Sequence, residues 1–249
     1  MAVSVVQSAS VPDTATTYDS YTIYPNVPTL PNYDSGYPLG GAIVAGDVLY
    51  VLVTCPVVDE TPSAVDHITD TGGATWTQLQ AYIDLTDNFT AELWQGVGTT
   101  GGAALTWSVT VFMSTGAEAG ALLIDVRGNN TTHPTESSNI ISYNGDEPDP
   151  APAPSISPLH TTSLVLNAIC CGAAGANSGA PWTVLPGKPC VSTHDHYVEI
   201  NGSWQIGTLT PGVDSWATPD DDPGFGATFA WAVAAPGGAV VNSDFLAFM

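Results

Sequence analysis

The chain has 249 residues, with 24 Asp or Glu against 2 Lys or Arg, a formal net charge of -22. Apolar residues are 44% of it, which excludes a disordered acidic tail and suffices for the core of one large all-β domain or two smaller ones. The two cations, Arg127 and Lys188, exclude a basic nucleic-acid groove and a polybasic membrane anchor, so neither nucleic acid nor membrane is an expected partner.

Residues 1–6 carry no basic region and no long apolar run, so no secretory signal is expected and assembly in the cytoplasm is. Residues 2–9 predict a first short strand. Residues 11–40 are rich in Tyr and Pro: Tyr18, Tyr21, Tyr24, Tyr33 and Tyr37 alternate with Pro25, Pro28, Pro31 and Pro38. Proline donates no ladder hydrogen bond, so this stretch reads as an extended arm or long loop, not a central strand. The sequence thus divides into an N-terminal strand and arm, 1–40, and a single sandwich domain, 41–249.

Within that domain, residues 48–54 are continuously apolar and predict a strand buried on both faces. Residues 66–70 lead through Asp70, Thr71, Gly72 and Gly73 into 75–83, the pattern of a hairpin. Residues 91–97 and 105–112 read as another strand pair. In the second, Leu105, Trp107, Val109 and Val111 alternate with Thr106, Ser108 and Thr110. Strands over 121–127 and 139–143 follow. The Pro-rich stretch 145–158 reads as a crossover at one end of the sandwich. Strands are then expected over 163–171, 182–185, 196–201, 225–235 and 240–248. The fourth places Phe225, Ala227, Phe229, Trp231 and Val233 on one face. Trp76, Trp107 and Trp231 are expected to face between sheets. With about 10–12 short strands and almost no helix, the predicted fold is an all-β, jelly-roll-like antiparallel sandwich.

Chemical motifs are sparse. Gly96, Gly98 and Gly101 match G-x-G-x-x-G, but no helix follows to meet a phosphate, so the segment reads as a hairpin loop. In a strand, His194 and His196 would share one face and could serve as two metal ligands, with His67, His133 or His160 as a third that the spacing does not select. Asp220 and Asp222 lie in a dense acidic loop offering oxygens to a hard cation, as does the acidic stretch at 146–149. A bound cation is the one ligand these loops would admit. No other cofactor is implied, and a polar strand-entry loop for the first stretch and a solvated acidic loop for the second are the favoured readings. No G-x-S-x-G, P-loop or H-E-x-x-H occurs, and a chain so poor in cations has little with which to stabilise developing negative charge. No catalytic residue is assigned, and the expectation is a protein that is not an enzyme. Cys55, Cys170, Cys171 and Cys190 read as small buried hydrophobes. Sequons at Asn88, Asn129, Asn130 and Asn201 are expected in turns.

Several segments together resemble a diffuse family of β-sandwich proteins from tailed phages and related viruses. They are Gly46 to Val53, Ile68 to Thr77 with its Gly72, Gly73 and Trp76, Ala91 to Trp94, Leu105 to Val111 and Ile124 to Gly128. The later Ser163 to Leu166, Trp182 and Ala230 to Val233 extend the likeness, which covers roughly residues 41–235. It departs at Ala74, where Asn is usual, and at Asp125, where Glu is common. The resemblance implies a virion structural protein on the capsid exterior, a decoration or turret protein, localised to the virion. Its implied partners are the major capsid protein or neighbouring virion subunits, in a homo-oligomer such as a trimer or pentamer. A tail or fibre protein binding host glycan through Trp or Tyr is the alternative, and a carbohydrate-active module a third. The scarcity of bases points to a high-salt host, because repulsion among like charges is screened within roughly 3 Å at ~1 M salt. A GC-rich genome would also favour many of these residue types, but usually supplies Arg as well.

Overall fold

A computed structural model describes residues 2–11, 18–23, 42–56, 63–84, 89–103, 107–117, 119–144, 151–171, 183–185, 199–206, 215–216 and 225–236. Among them every regular element is a strand, and all pairing is antiparallel. In chain order the strands are β1 (Ser4–Val11), β2 (Tyr18–Ile23), β3 (Val48–Pro56), β4 (Val65–Asp70), β5 (Thr75–Asp84), β6 (Phe89–Val97), β7 (Val109–Ala117), β8 (Gly120–Arg127), β9 (Thr135–Asn144), β10 (Ala151–Pro152), β11 (Leu164–Cys171), β12 (Thr183–Val184), β13 (Glu199–Ile206), β14 (Ser215–Trp216) and β15 (Phe225–Val233).

They stack in three layers. A central sheet, in the order β1-β8-β3-β6-β5, lies between two others. One is a three-stranded sheet, β2-β7-β4; the other is a five-stranded sheet, β12-β13-β11-β15-β9. The short pair β10-β14 is separate. This is the expected all-β sandwich, with one sheet more than a two-sheet jelly roll has.

The layering follows from the side-chain period of two. Along β3, Val48, Tyr50 and Leu52 enter the core shared with the five-stranded sheet, where they meet Leu166, Phe229 and Trp231. The alternate residues Leu49, Val51, Val53 and Cys55 enter the core shared with the three-stranded sheet, where they meet Ile23, Val109 and Val111. A strand with two apolar faces needs a cover on each, and the expectation of a doubly buried strand at 48–54 holds. On β15 the face carrying Ala227, Phe229, Trp231 and Val233 is buried as expected. Trp231 tilts against Tyr50 with ring centroids 5.4 Å apart, and Trp107 is 1% exposed. Cys55 and Cys170 are buried, as small hydrophobes would be.

Four sequence readings are corrected. The turn at residues 70–74 does not close a hairpin: β4 pairs with β7, whereas β5 pairs with β6. Nor do β6 and β7 pair with each other; the glycine-rich loop after β6 also passes between layers. Both connections are arches. A hairpin would set Ile68 and Trp76 side by side in one sheet, whereas the arch sets them in facing layers, and both pack into the same core. The strand expected at 105–112 begins at Val109 and runs to Ala117, with Trp107 in the loop before it.

The fourth correction concerns the arm. Residues Tyr18–Ile23 form β2, an edge strand on β7. Ile23 is fully buried, because it faces the same core as Val109 and Val111. The arm is therefore part of the sandwich over this stretch, while Tyr24, Tyr33 and Tyr37 lie outside the described residues. So do the strand expected at 240–248 and residues 145–150 of the crossover at 145–158. Of that crossover, residues 151–158 are described; Ala151 packs with Ile169 and Tyr143, and Pro152 O accepts hydrogen bonds from Tyr143 Oη (2.7 Å) and Thr228 Oγ1 (2.9 Å).

Candidate functional site: a loop cluster and two buried carboxylate clusters

Three loops interlock at one end of the central sheet. Gly46 N donates to Thr99 O at 3.2 Å, Gly102 N to Ile43 O at 3.0 Å, and Thr100 N to Gly72 O at 2.9 Å. These contacts join residues 42–47, 70–74 and 98–102. Asp70 organises the middle loop: its carboxylate accepts from Gly72 N at 2.6 Å, Ala74 N at 2.8 Å and Trp76 Nε1 at 2.9 Å. An Asp at a turn start holds successive backbone amides in this way. Two glycines are required by space. A Cβ at Gly72 would come within 2.8 Å of Trp107 Nε1, and one at Gly101 within 2.6 Å of Ile43 O, where φ is also +74°. The G-x-G-x-x-G segment is thus an inter-sheet loop that seats residues 42–47.

The first carboxylate cluster joins this end. Asp47, just before β3, takes the Arg127 guanidinium in a forked pair: Nε to Oδ1 at 3.0 Å and Nη2 to Oδ2 at 2.8 Å. Beside it Asp125 is fully buried on β8. Its Oδ2 accepts from Gln7 Nε2 on β1 at 2.8 Å and lies 3.9 Å from Arg127 Nη2, while its Oδ1 has no hydrogen-bond partner. Burial pushes the Asp125 carboxyl up to about 7, and the neighbouring Asp47 charge adds to this. Gln7 and Arg127 pull it the other way.

The second cluster ties layers together. Glu92, 1% exposed on β6, accepts from Val65 N on β4 at 2.7 Å, from Gln78 Nε2 on β5 at 2.6 Å and from Trp94 Nε1 at 2.8 Å. It thereby bolts the edge of the three-stranded sheet to the central one. Trp76 and Trp94 are partly buried here, their indole N–H groups each held by a carboxylate. Such anchoring fixes each ring's orientation at the margin of the sandwich.

Sequence reasoning did not single out Gln7, Asp47, Glu92 or Asp125 as site residues. The signal was an acid embedded in an apolar strand, as at Asp125 within Gly120–Arg127. The proposed ligands His194, His196, Asp220 and Asp222 lie outside the described residues. His67 is exposed on β4 and stacks on Phe112 at 4.3 Å, His133 is exposed, and His160 is half-buried. Among the described residues no three His, Cys, Asp or Glu side chains stand together as a metal set. Asn129 is buried, and Asn201 lies within β13 rather than in a turn, since Ile169 pairs with it; Asn88 is outside the described residues. Among the described residues no helix is long and apolar enough to cross a membrane. Comparison with protein-family models, with curated proteins and with solved structures found no match.

Proposed function

We propose that the chain is a structural subunit on the exterior of a tailed-virus particle from a high-salt host, acting by docking rather than by catalysis. One observation carries the reading. The Tyr/Pro-rich segment is rooted in the sandwich at both ends: β2 pairs with β7 just before it, and Ile43 bridges to Gly102 just after it. Residues 24–41, with Tyr24, Tyr33 and Tyr37, are the stretch of sequence between these two anchored points. Tyrosine supplies contact area that is apolar on its ring and polar at its tip. Proline lowers the entropy lost when such a segment is ordered. Docking of this kind needs no Lys or Arg, which suits the composition. The major capsid protein or a neighbouring copy, in a trimer or pentamer, is the proposed partner, and the resemblance of residues 41–235 supports the same setting.

A second reading, glycan binding by a tail or fibre protein, draws on the partly buried Trp76 and Trp94. An oriented indole can stack on a sugar ring. The variant Tyr24→Ser/Tyr33→Ser/Tyr37→Ser separates the two. Co-sedimentation with particles lacking the native protein should fall at least about tenfold, with the melting temperature unchanged; loss of one buried aromatic contact already amounts to about 1.4 kcal/mol or more. Undiminished attachment would overturn the docking reading. Glycan binding lost on Trp94→Ala would favour the second.

A further inference from the structure

Arg127 is the one Lys or Arg among the described residues, and two carboxylates face it. Its fork is committed to Asp47, whose Oδ2 also accepts Val44 N at 2.9 Å. Arg127 Nη2 reaches Ala42 O at 3.3 Å. The ion pair therefore closes the loop 42–47 onto β8. Asp125 stands behind it, without exposure to water and with one oxygen lacking a hydrogen-bond partner. If both carboxylates were ionised, one guanidinium would have to serve two anions, one of them with an unsolvated oxygen. Burying such a charge is costly unless it is paired.

We infer that loop 42–47 is a proton-operated latch: with Asp125 neutral, Arg127 belongs to Asp47 and the loop is shut, whereas ionisation of Asp125 draws the guanidinium away and loosens the loop. The groups around Asp125 are few. From β1 it meets the uncharged Gln7; on β3 its register partner is the apolar Leu49. Asp47 and Arg127 are the charged groups acting on it. Burial and Asp47 raise its proton affinity in the closed state to a midpoint of about 7, against about 3.9 for an exposed Asp. A raised folded-state value means that the closed loop holds the proton more tightly than the open one. Closure is thus firmest below about pH 4, weakens as pH rises toward about 7, and levels off above. Residues 42–47 directly follow the Tyr/Pro-rich stretch in sequence, so the latch acts on the described residues that come immediately after it.

The amides of Val44, Gly46 and Asp47 report the latch, since each donates within or from the loop. Their hydrogen-exchange protection factors, normalised for intrinsic rate, should fall at least about tenfold between pH 5 and pH 8 in the wild-type protein. In Asp125→Asn they should be the same at both values. The Asp125 carboxyl carbon, followed by NMR in the wild type, should titrate near neutrality, a readout that does not depend on the variant folding. Protection independent of pH in the wild type, a pH dependence surviving in Asp125→Asn, or a carboxyl midpoint below about 5 would each overturn the latch.

Discussion

Trp107 shows how much of this fold rests on single side chains outside the strands. It is 1% exposed, lies in the loop before β7, and packs against Gly72 and Gly102 of the two arches. Trp107→Ala would empty that space, and the surrounding loops, pinned by their own hydrogen bonds, have little freedom to collapse into it. The expected cost is about 3–5 kcal/mol, read as a drop in denaturant midpoint at unchanged slope. Near-wild-type unfolding would mean that the loop cluster repacks without it. The sequence made Trp107 legible as core through the alternation Leu105, Trp107, Val109, Val111, although the strand itself starts at Val109. It did not reveal Asp47 as the partner of Asp125 and Arg127, because those two lie on β8 and Asp47 just before β3, and they meet through register, which composition does not encode.

At the scale of elements, strands were legible and their partners were not. The apolar run at 48–54 and the alternation of large and small residues at 225–235 identify β3 and β15, because a packed core face leaves a direct mark on residue type. The turn at Asp70 has the composition of a hairpin, yet its glycines serve a tight passage between layers. Local turn chemistry is the same in both cases; which sheet the outgoing strand joins depends on where Trp76 and Ile68 find cover. The same limitation hid β2. Its short run Tyr18–Ile23 sits among prolines, and Ile23 is a fully buried anchor. β1 and β2 now define what removal of residues 1–40 would do. β1 supplies one edge of the central sheet, Val3 enters one core and Ile23 the other. The truncated chain is expected to lose cooperative unfolding, seen as a broad calorimetric transition and dye binding to exposed apolar surface. A sharp, wild-type-like transition would mean that both strands are dispensable appendages.

For the whole molecule the dominant quantity is charge. With 24 acids against 2 bases, the folded state brings like charges closer than the unfolded chain does, and compaction is opposed by their mutual repulsion. Two of the buried acids are held by several donors, Asp47 by Arg127 and Val44 and Glu92 by Val65, Gln78 and Trp94, while Asp125 is held by Gln7 through one oxygen. Exposed ones such as Asp66, whose side chain is 64% exposed, repel through water and are open to screening. The melting temperature should therefore rise steeply from ~0.1 M to ~2 M NaCl, with most of the screening gained once the Debye length falls to roughly 3 Å near 1 M. Salt and excluded osmolytes both favour compact states, so the comparison needs a neutral control. Sucrose stabilises by exclusion without screening charge. A rise in NaCl well beyond that in sucrose of matched osmolality isolates the electrostatic part and supports a protein suited to high salt. Equal responses to the two, or a melting temperature flat in NaCl, would remove the physical reason for placing this chain in a high-salt setting.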